Sequence, residues 1–195
     1  GHKILRIIAK ARKLNVIRSS NGSQVDRGKP ALYAFHPHGR YPLDIYPYLA
    51  SDHDLSEVSL ASASGSKYFP SIAIGMVLYG NTMDASRTEL VKGLVRNKQI
   101  GIFPGGAREM HECKAKSGDK IRIVQHDGFL RLARATGAAV VPCFIFGMEN
   151  SYTSPLVGIQ KELYSYTKLS FPIWFPSINS MWPRKATSHT MVVGK

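Results

Sequence analysis

Residues 127–146, DGFLRLARATGAAVVPCFIF, change hydrophobic rhythm halfway along. In the first half Phe129, Leu130, Leu132 and Ala133 fall at helical spacing, and Gly137 stands where a left-handed cap closes a helix. After it AAVVPCFIF (138–146) is a short apolar run rich in β-branched and aromatic residues, which predicts a buried strand. The same alternation occurs upstream. Ser86, with Glu89 three residues later, forms a capping box that opens a helix through RTELVKGLVRN (87–97), and QIGIFP (99–104) follows as a strand. ALYAF (31–35) and EVSLAS (57–62) are further strand candidates. Strands alternating with helices predict an α/β domain with a largely parallel sheet flanked by helices. In such sheets chemistry sits past the carboxyl ends of the strands.

A chain of 195 residues that is 44% hydrophobic can bury one good core, so one domain is expected. The formal charge of +13 and pI near 9.9 call for a polyanionic partner: nucleic acid, an anionic membrane face or a phosphate-bearing substrate. Nearly half of that excess lies at the start, as Lys3, Arg6, Lys10, Arg12, Lys13 and Arg18. Ile4, Ile7, Ile8, Ala11 and Leu14 recur between these cations at helical spacing. Residues 1–20 therefore read as a basic amphipathic segment, either docked on a membrane surface or packed on the domain. SSNGSQVDRGKP (19–30) supplies a polar linker, taken as 21–30, and residues 31–195 form the domain proper. The longest apolar run, 71–79, is about half the ~20 residues a membrane span needs, and no signal-peptide pattern is present. Cys113 and Cys143 have neither disulfide-framework nor zinc-type spacing, which fits a reducing compartment.

Two polar loops follow strands and can share one crevice. AFHPHGRYPLD (34–44) places His36 and His38 around Pro37, and GGAREM (105–110) places Gly105, Gly106 and Glu109 after the 99–104 strand. Together they hold what a hydroxyl nucleophile needs: an imidazole to take its proton, a carboxylate to orient that imidazole, and glycine amides for a developing oxyanion. The competing readings are a histidine satisfied by a backbone carbonyl beside a simple turn, and a metal pair in HPH completed by His111 and Cys113. No Ser or Cys with a neighbouring base suggests a covalent intermediate.

HPHG, GGARE and the long stretch 127–150, with YGNTMDASR (79–87) and the closing TMVVGK in the same order, resemble the diacylglycerol acyltransferase type 2 and monoacylglycerol acyltransferase family over roughly residues 31–195. The resemblance implies an enzyme that moves a fatty acyl group from coenzyme A to a lipid alcohol, on the cytosolic face of the endoplasmic reticulum or a lipid droplet. It implies acyl-CoA as substrate, with neither cofactor nor metal. His36 and His38 match the family's motif histidines, and Gly105, Gly106 and Glu109 its glycine pair and acid. A more distant likeness to glycerol-phosphate acyltransferases implies a mixed α/β sheet with a catalytic histidine and a helper aspartate.

The chain departs from these patterns in places. The glycerol-phosphate enzymes place the aspartate five positions after the histidine, but Leu43 is fifth after His38 and Asp44 sixth, so Glu109 is the better orienting acid. His126 and Asp127 stand where the family shows a basic residue before GF, no membrane hairpin precedes the domain, and the end at Lys195 suggests part of a longer protein. His38, next to the Gly39 turn, is expected to be the general base with His36 as its support. Gly39, Arg40, Gly105, Gly106 and Arg108 are the candidate substrate-binding residues; Arg108 suits a phosphate or carboxylate, as in the FPEGTR loop of the glycerol-phosphate enzymes. KYFPSIAIGMVLYG (67–80) and FPIWFPSI (171–178) could line an acyl groove, dip into lipid or belong to ordinary core. The alternatives are a phospholipid-pathway acyltransferase with a phosphorylated acceptor, a hydrolase using the same base on water, and a basic nucleic-acid-binding module, for which no recognition motif is present.

Overall fold

A computed structural model describes residues 1–19, 26, 28–38, 45–63, 65, 68, 70–106, 109, 127–147, 157–167 and 189–194. The chain runs α1 (His2–Ala11), β1 (Asn15–Arg18), β2 (Ala31–His36), α2 (Ile45–Ser51), a 3₁₀ turn (Leu55–Glu57), β3 (Ser59–Ser62), α3 (Pro70–Tyr79) and β4 (Thr82–Asp84). It continues with α4 (Arg87–Val95), β5 (Gln99–Ile102), α5 (Gly128–Thr136), β6 (Ala139–Phe146), α6 (Val157–Thr167) and β7 (Thr190–Val193). The strands form one sheet in the order β1-β7-β6-β2-β5-β3-β4. Among the described strands only the β6–β7 pairing is antiparallel, so the sheet is mixed and largely parallel.

β2 lies at the centre of the sheet, and its first five residues are buried on both faces, which explains the unbroken apolar run of ALYAF. Tyr33 and Phe35 join the core against α2 and Leu5 of α1. Leu32 points the other way, to Ile100 of β5, Leu94 of α4 and Leu132 and Ala133 of α5. β5 passes close under the first layer: a Cβ on Gly101 would lie 2.6 Å from the Phe35 ring and 3.1 Å from Leu60 and Val58. The helix ends follow the sequence in part. Gly137 takes the left-handed cap at φ 68°, as its position after α5 demands. Ser86 does stand at the N-cap of α4, but its side chain makes no capping bond; the Ser86 amide donates to Asp84 Oδ1 at 2.7 Å and Glu89 pairs with Lys92.

The N-terminal segment is tied to this body. α1 buries Leu5 and Ala9, Arg6 Nε donates to Ala50 O at 2.8 Å at the end of α2, and His2 stacks on Tyr79 at 5.4 Å while Nε2 donates to Tyr79 O. β1 pairs with β7, and Arg18 reaches Asp52 at 2.5 Å and Asp54 at 3.2 Å. Sequence patterning divides residues 1–20 from a domain starting near residue 31, whereas the sheet runs across that division. The reason is the edge of β7, which supplies hydrogen-bond partners to a four-residue strand too short and too exposed to signal itself. α3 covers much of the 67–80 stretch: Ile72 and Tyr79 are buried, while Ile74 and Val77 face outward. Among the described residues no helix is long and apolar enough to cross a membrane. The 171–178 stretch and most of 19–27 lie outside the described residues.

Candidate active site

β2 and β5 are parallel neighbours in register, Ala34 beside Ile102, so the loops leaving their carboxyl ends emerge together. From β2 come His36, a cis Pro37 and His38; from β5 come Phe103, Pro104, Gly105, Gly106 and the turn carrying Glu109. The Glu109 amide donates to Gly105 O at 3.2 Å, which folds the carboxylate back across the strand ends. That folding needs a glycine. A Cβ at Gly105 would stand 2.7 Å from Glu109 Cβ and 2.8 Å from its Cδ.

The carboxylate joins the two loops. His36 Nδ1 lies 3.0 Å from Glu109 Oε2, and the His38 amide donates to Oε1 at 2.5 Å. Glu109 is only 5% exposed, and burial pushes its pKa upward. The His36 contact, the charges of both histidines and the His38 amide outweigh that penalty and hold the carboxyl below its ordinary value. Nδ1 is the His36 ring nitrogen that faces Oε2, and a carboxylate oxygen can only accept, so a proton held on Nδ1 would leave the lone pair on Nε2. Nε2 is buried and has no hydrogen-bond partner among the described residues. A buried acceptor left unmatched costs about 1–3 kcal/mol and calls for an explanation.

His38 is held differently. Its Nε2 is 2.9 Å from Gly106 O, to which it donates, and 3.7 Å from Glu109 Oε2, and its side chain is 3% exposed against 16% for His36. Phe103 meets the His38 ring edge-on at 5.2 Å. Gly106 reaches this arrangement through a left-handed φ of 50°, and its own amide donates to Phe103 O at 3.1 Å. That amide is therefore committed to the turn and is not the oxyanion donor expected of it. Cys143 is buried in β6 and its thiol is pushed up to about 12, which leaves it without nucleophilic character at neutral pH.

Thus His36, His38, Gly105, Gly106 and Glu109 come together, while Gly39, Arg40, Asp44, Arg108, His111, Cys113 and His126 lie outside the described residues. Sequence reasoning missed Phe144, whose ring meets His36 edge-on at 6.5 Å from the facing position of β6. Its signal was the period of two along CFIF, which separates Phe144 and Phe146 from the buried Cys143 and Ile145.

Known proteins bear on this arrangement. Diacylglycerol O-acyltransferase 1 of Schizosaccharomyces pombe is 25% identical over 162 residues, covering 78% of this chain and 46% of the relative. Its namesake in Saccharomyces cerevisiae is 29% identical over 141 residues, 64% of this chain and 31% of the relative. Diacylglycerol O-acyltransferase 2 of Dictyostelium discoideum is 24% identical over 139 residues, 67% and 42% of the respective chains. The chain thus spans less than half the length of these curated relatives. Among solved structures, the 1-acyl-sn-glycerophosphate (LPA) acyltransferase PlsC of Thermotoga maritima shares the fold, with a TM-score of 0.55 and 14% identity over 98% of this chain and 66% of that one. The family model for diacylglycerol acyltransferase matches residues 6–180, from α1 past α6, and the chain belongs to that family.

Proposed function

We propose that this chain takes part in acyl-CoA-dependent transfer of a fatty acyl group to the hydroxyl of a diacylglycerol or monoacylglycerol, with His36 as general base. The observation that carries the reading is the placement of the His36 imidazole: Nδ1 lies 3.0 Å from the buried Glu109 carboxylate, and the buried Nε2 has no hydrogen-bond partner among the described residues. The acceptor hydroxyl gives its proton to Nε2 as its oxygen attacks the thioester carbonyl. The tetrahedral oxyanion then collapses, the carbon–sulfur bond breaks, and the imidazolium returns the proton to the leaving thiolate. Glu109 stabilises the imidazolium in between, as a buried carboxylate does in hydrolase triads. His38 supports rather than reacts: its amide and ring fix Glu109 and the Gly106 turn. This reverses the division of labour expected from the position of His38 beside the Gly39 turn.

Family membership and the relatives' names support an acyl donor and a lipid acceptor. Site chemistry supports the choice of base. A membrane face agrees with α1, which leaves Ile4 and Ile7 outward at 52% and 68% exposure among Lys3, Arg6 and Lys10, and with outward Ile74 and Val77 on α3. The family resemblance, rather than this face, is what suggests the cytosolic face of the endoplasmic reticulum or a lipid droplet as its place. A phosphorylated acceptor is the second reading, favoured by the fold shared with an enzyme whose name specifies such a substrate.

Incubating the protein with radiolabelled palmitoyl-CoA and separate acceptors tests these readings. Labelled product from diacylglycerol or monoacylglycerol supports the first, product from lysophosphatidic acid alone supports the second, and free palmitate alone contradicts both.

A further inference from the structure

We infer that Phe144 and Phe146 form an aromatic strip that receives the alkyl chain of a substrate immediately beside the reacting carbonyl. The assignment rests on the acyltransferase reading above and deepens it. β6 alternates strictly at its end: Cys143 and Ile145 are 2% and 0% exposed in the core, while Phe144 and Phe146 take the face shared with His36, which pairs with Phe144 in register. The Phe144 ring meets His36 edge-on at 6.5 Å, and the Phe146 ring continues from it at 4.5 Å with an interplanar angle of 54°. Phe146 is 54% exposed although its strand lies between β2 and β7, inside the sheet.

A lone exposed phenylalanine requires no explanation. Two rings leading outward from the His36 imidazole do, because they make an apolar path that begins at that ring. Each path position has a distinct chemistry. His36 needs the acceptor hydroxyl and the thioester carbonyl within reach, and both carry saturated chains one or a few bonds away. Phe144 is half-buried and fixed by packing, so it can also hold the His36 ring upright; Phe146 offers the open area that a ligand would cover. The occupant that fits uncharged, ring-lined surface continuous with this site is an alkyl chain, supplied by either the acyl donor or the lipid acceptor.

Equilibrium binding to the whole chain, without turnover, tests this. The probes are monomeric palmitoyl-CoA, acetyl-CoA, free coenzyme A and dioctanoylglycerol, each added alone. Covering about half a phenyl ring contributes enough that Phe146→Ala should raise the Kd of the chain-bearing probe roughly ten-fold. Acetyl-CoA and coenzyme A should be unaffected, and Phe146→Leu, which keeps apolar area, should bind nearly as the parent does. A loss confined to palmitoyl-CoA assigns the strip to the donor, and one confined to dioctanoylglycerol assigns it to the acceptor. Equal weakening of coenzyme A and palmitoyl-CoA would overturn the inference, as would unchanged binding of both lipids, which would mean that something other than substrate covers Phe146. If the parent protein bound none of the probes, the acyltransferase reading itself would fall, and this inference with it.

Discussion

Gly105→Ala is the smallest change that should dismantle the site. The added methyl carbon would lie 2.7 Å from Glu109 Cβ and 2.8 Å from Cδ, and it would collide with Oε2. Restoring the ~3.5–4.0 Å separation normal for carbon atoms moves the Glu109 side chain by roughly 1 Å. Glu109 cannot take that up locally, since Oε1 is held by the His38 amide at 2.5 Å and the backbone by Gly105 O at 3.2 Å. The 3.0 Å contact with His36 Nδ1 is the one that gives. Misplacing a catalytic group by about 1 Å can cost on the order of 10²-fold. We therefore expect Gly105→Ala to lower kcat for acyl transfer by about that factor, measured with radiolabelled palmitoyl-CoA at saturating acceptor. Gly106→Ala is the matched control: chain neighbours aside, no atom of the described residues lies within 4 Å of its would-be Cβ, but its φ of 50° disfavours a side chain. It should lose about 1–2 kcal/mol of stability in urea with a much smaller fall in kcat. Equal kinetic losses in the two variants, or a Gly105→Ala enzyme at full rate, would refute the steric account.

Leu5 is 3% exposed beneath α1, so Leu5→Ala should destabilise the whole domain by about 2–5 kcal/mol in urea unfolding, with one cooperative transition; a separate early transition would show α1 to be independent. Glu109 and Asp52 both have folded pKa values below their ordinary ones, so the stability they add is fully present above the usual carboxylate range and is lost as pH falls through the lower folded values. Glu109→Gln should accordingly flatten the acid limb of stability against pH, and an unchanged slope would contradict the depressed pKa. Replacing Lys3 and Lys10 by glutamine should weaken sedimentation with vesicles containing phosphatidylserine by up to about 1 kcal/mol per charge, less at high salt, and leave binding to neutral vesicles alone; equal effects on both vesicle types would remove the electrostatic part of the membrane reading.

Much of the fold was legible because β2 and β5 are buried on both faces and β6, buried on one, is still apolar along its length. ALYAF, QIGIFP and AAVVPCFIF each needed only an apolar run bounded by polar residues. β1, β4 and β7 are three or four residues long and partly exposed, and pairing with neighbours rather than their own composition makes them strands. The site was legible as a set of loops, since parallel topology brings whatever follows β2 and β5 together. What the letters could not convey was which histidine ring lies closer to the carboxylate. That depends on Glu109 folding back over Gly105, and on which imidazole edge meets Oε2 and which meets Gly106 O. The face that Phe144 and Phe146 share with His36 was visible only once the register set Phe144 opposite His36.

If His36 supplies the base, a paired comparison of His36→Ala and His38→Ala in acyl transfer will separate the two rings. The shorter carboxylate contact of His38, at 2.5 Å, runs through its backbone amide, which alanine keeps, and its ring stands off at 3.7 Å, whereas His36→Ala removes the 3.0 Å Nδ1 contact together with Nε2. The account predicts a loss of ~10²–10⁴-fold in kcat for His36→Ala and a clearly smaller one for His38→Ala, with both proteins folded. A His36→Ala enzyme that turns over normally while His38→Ala is dead would contradict it.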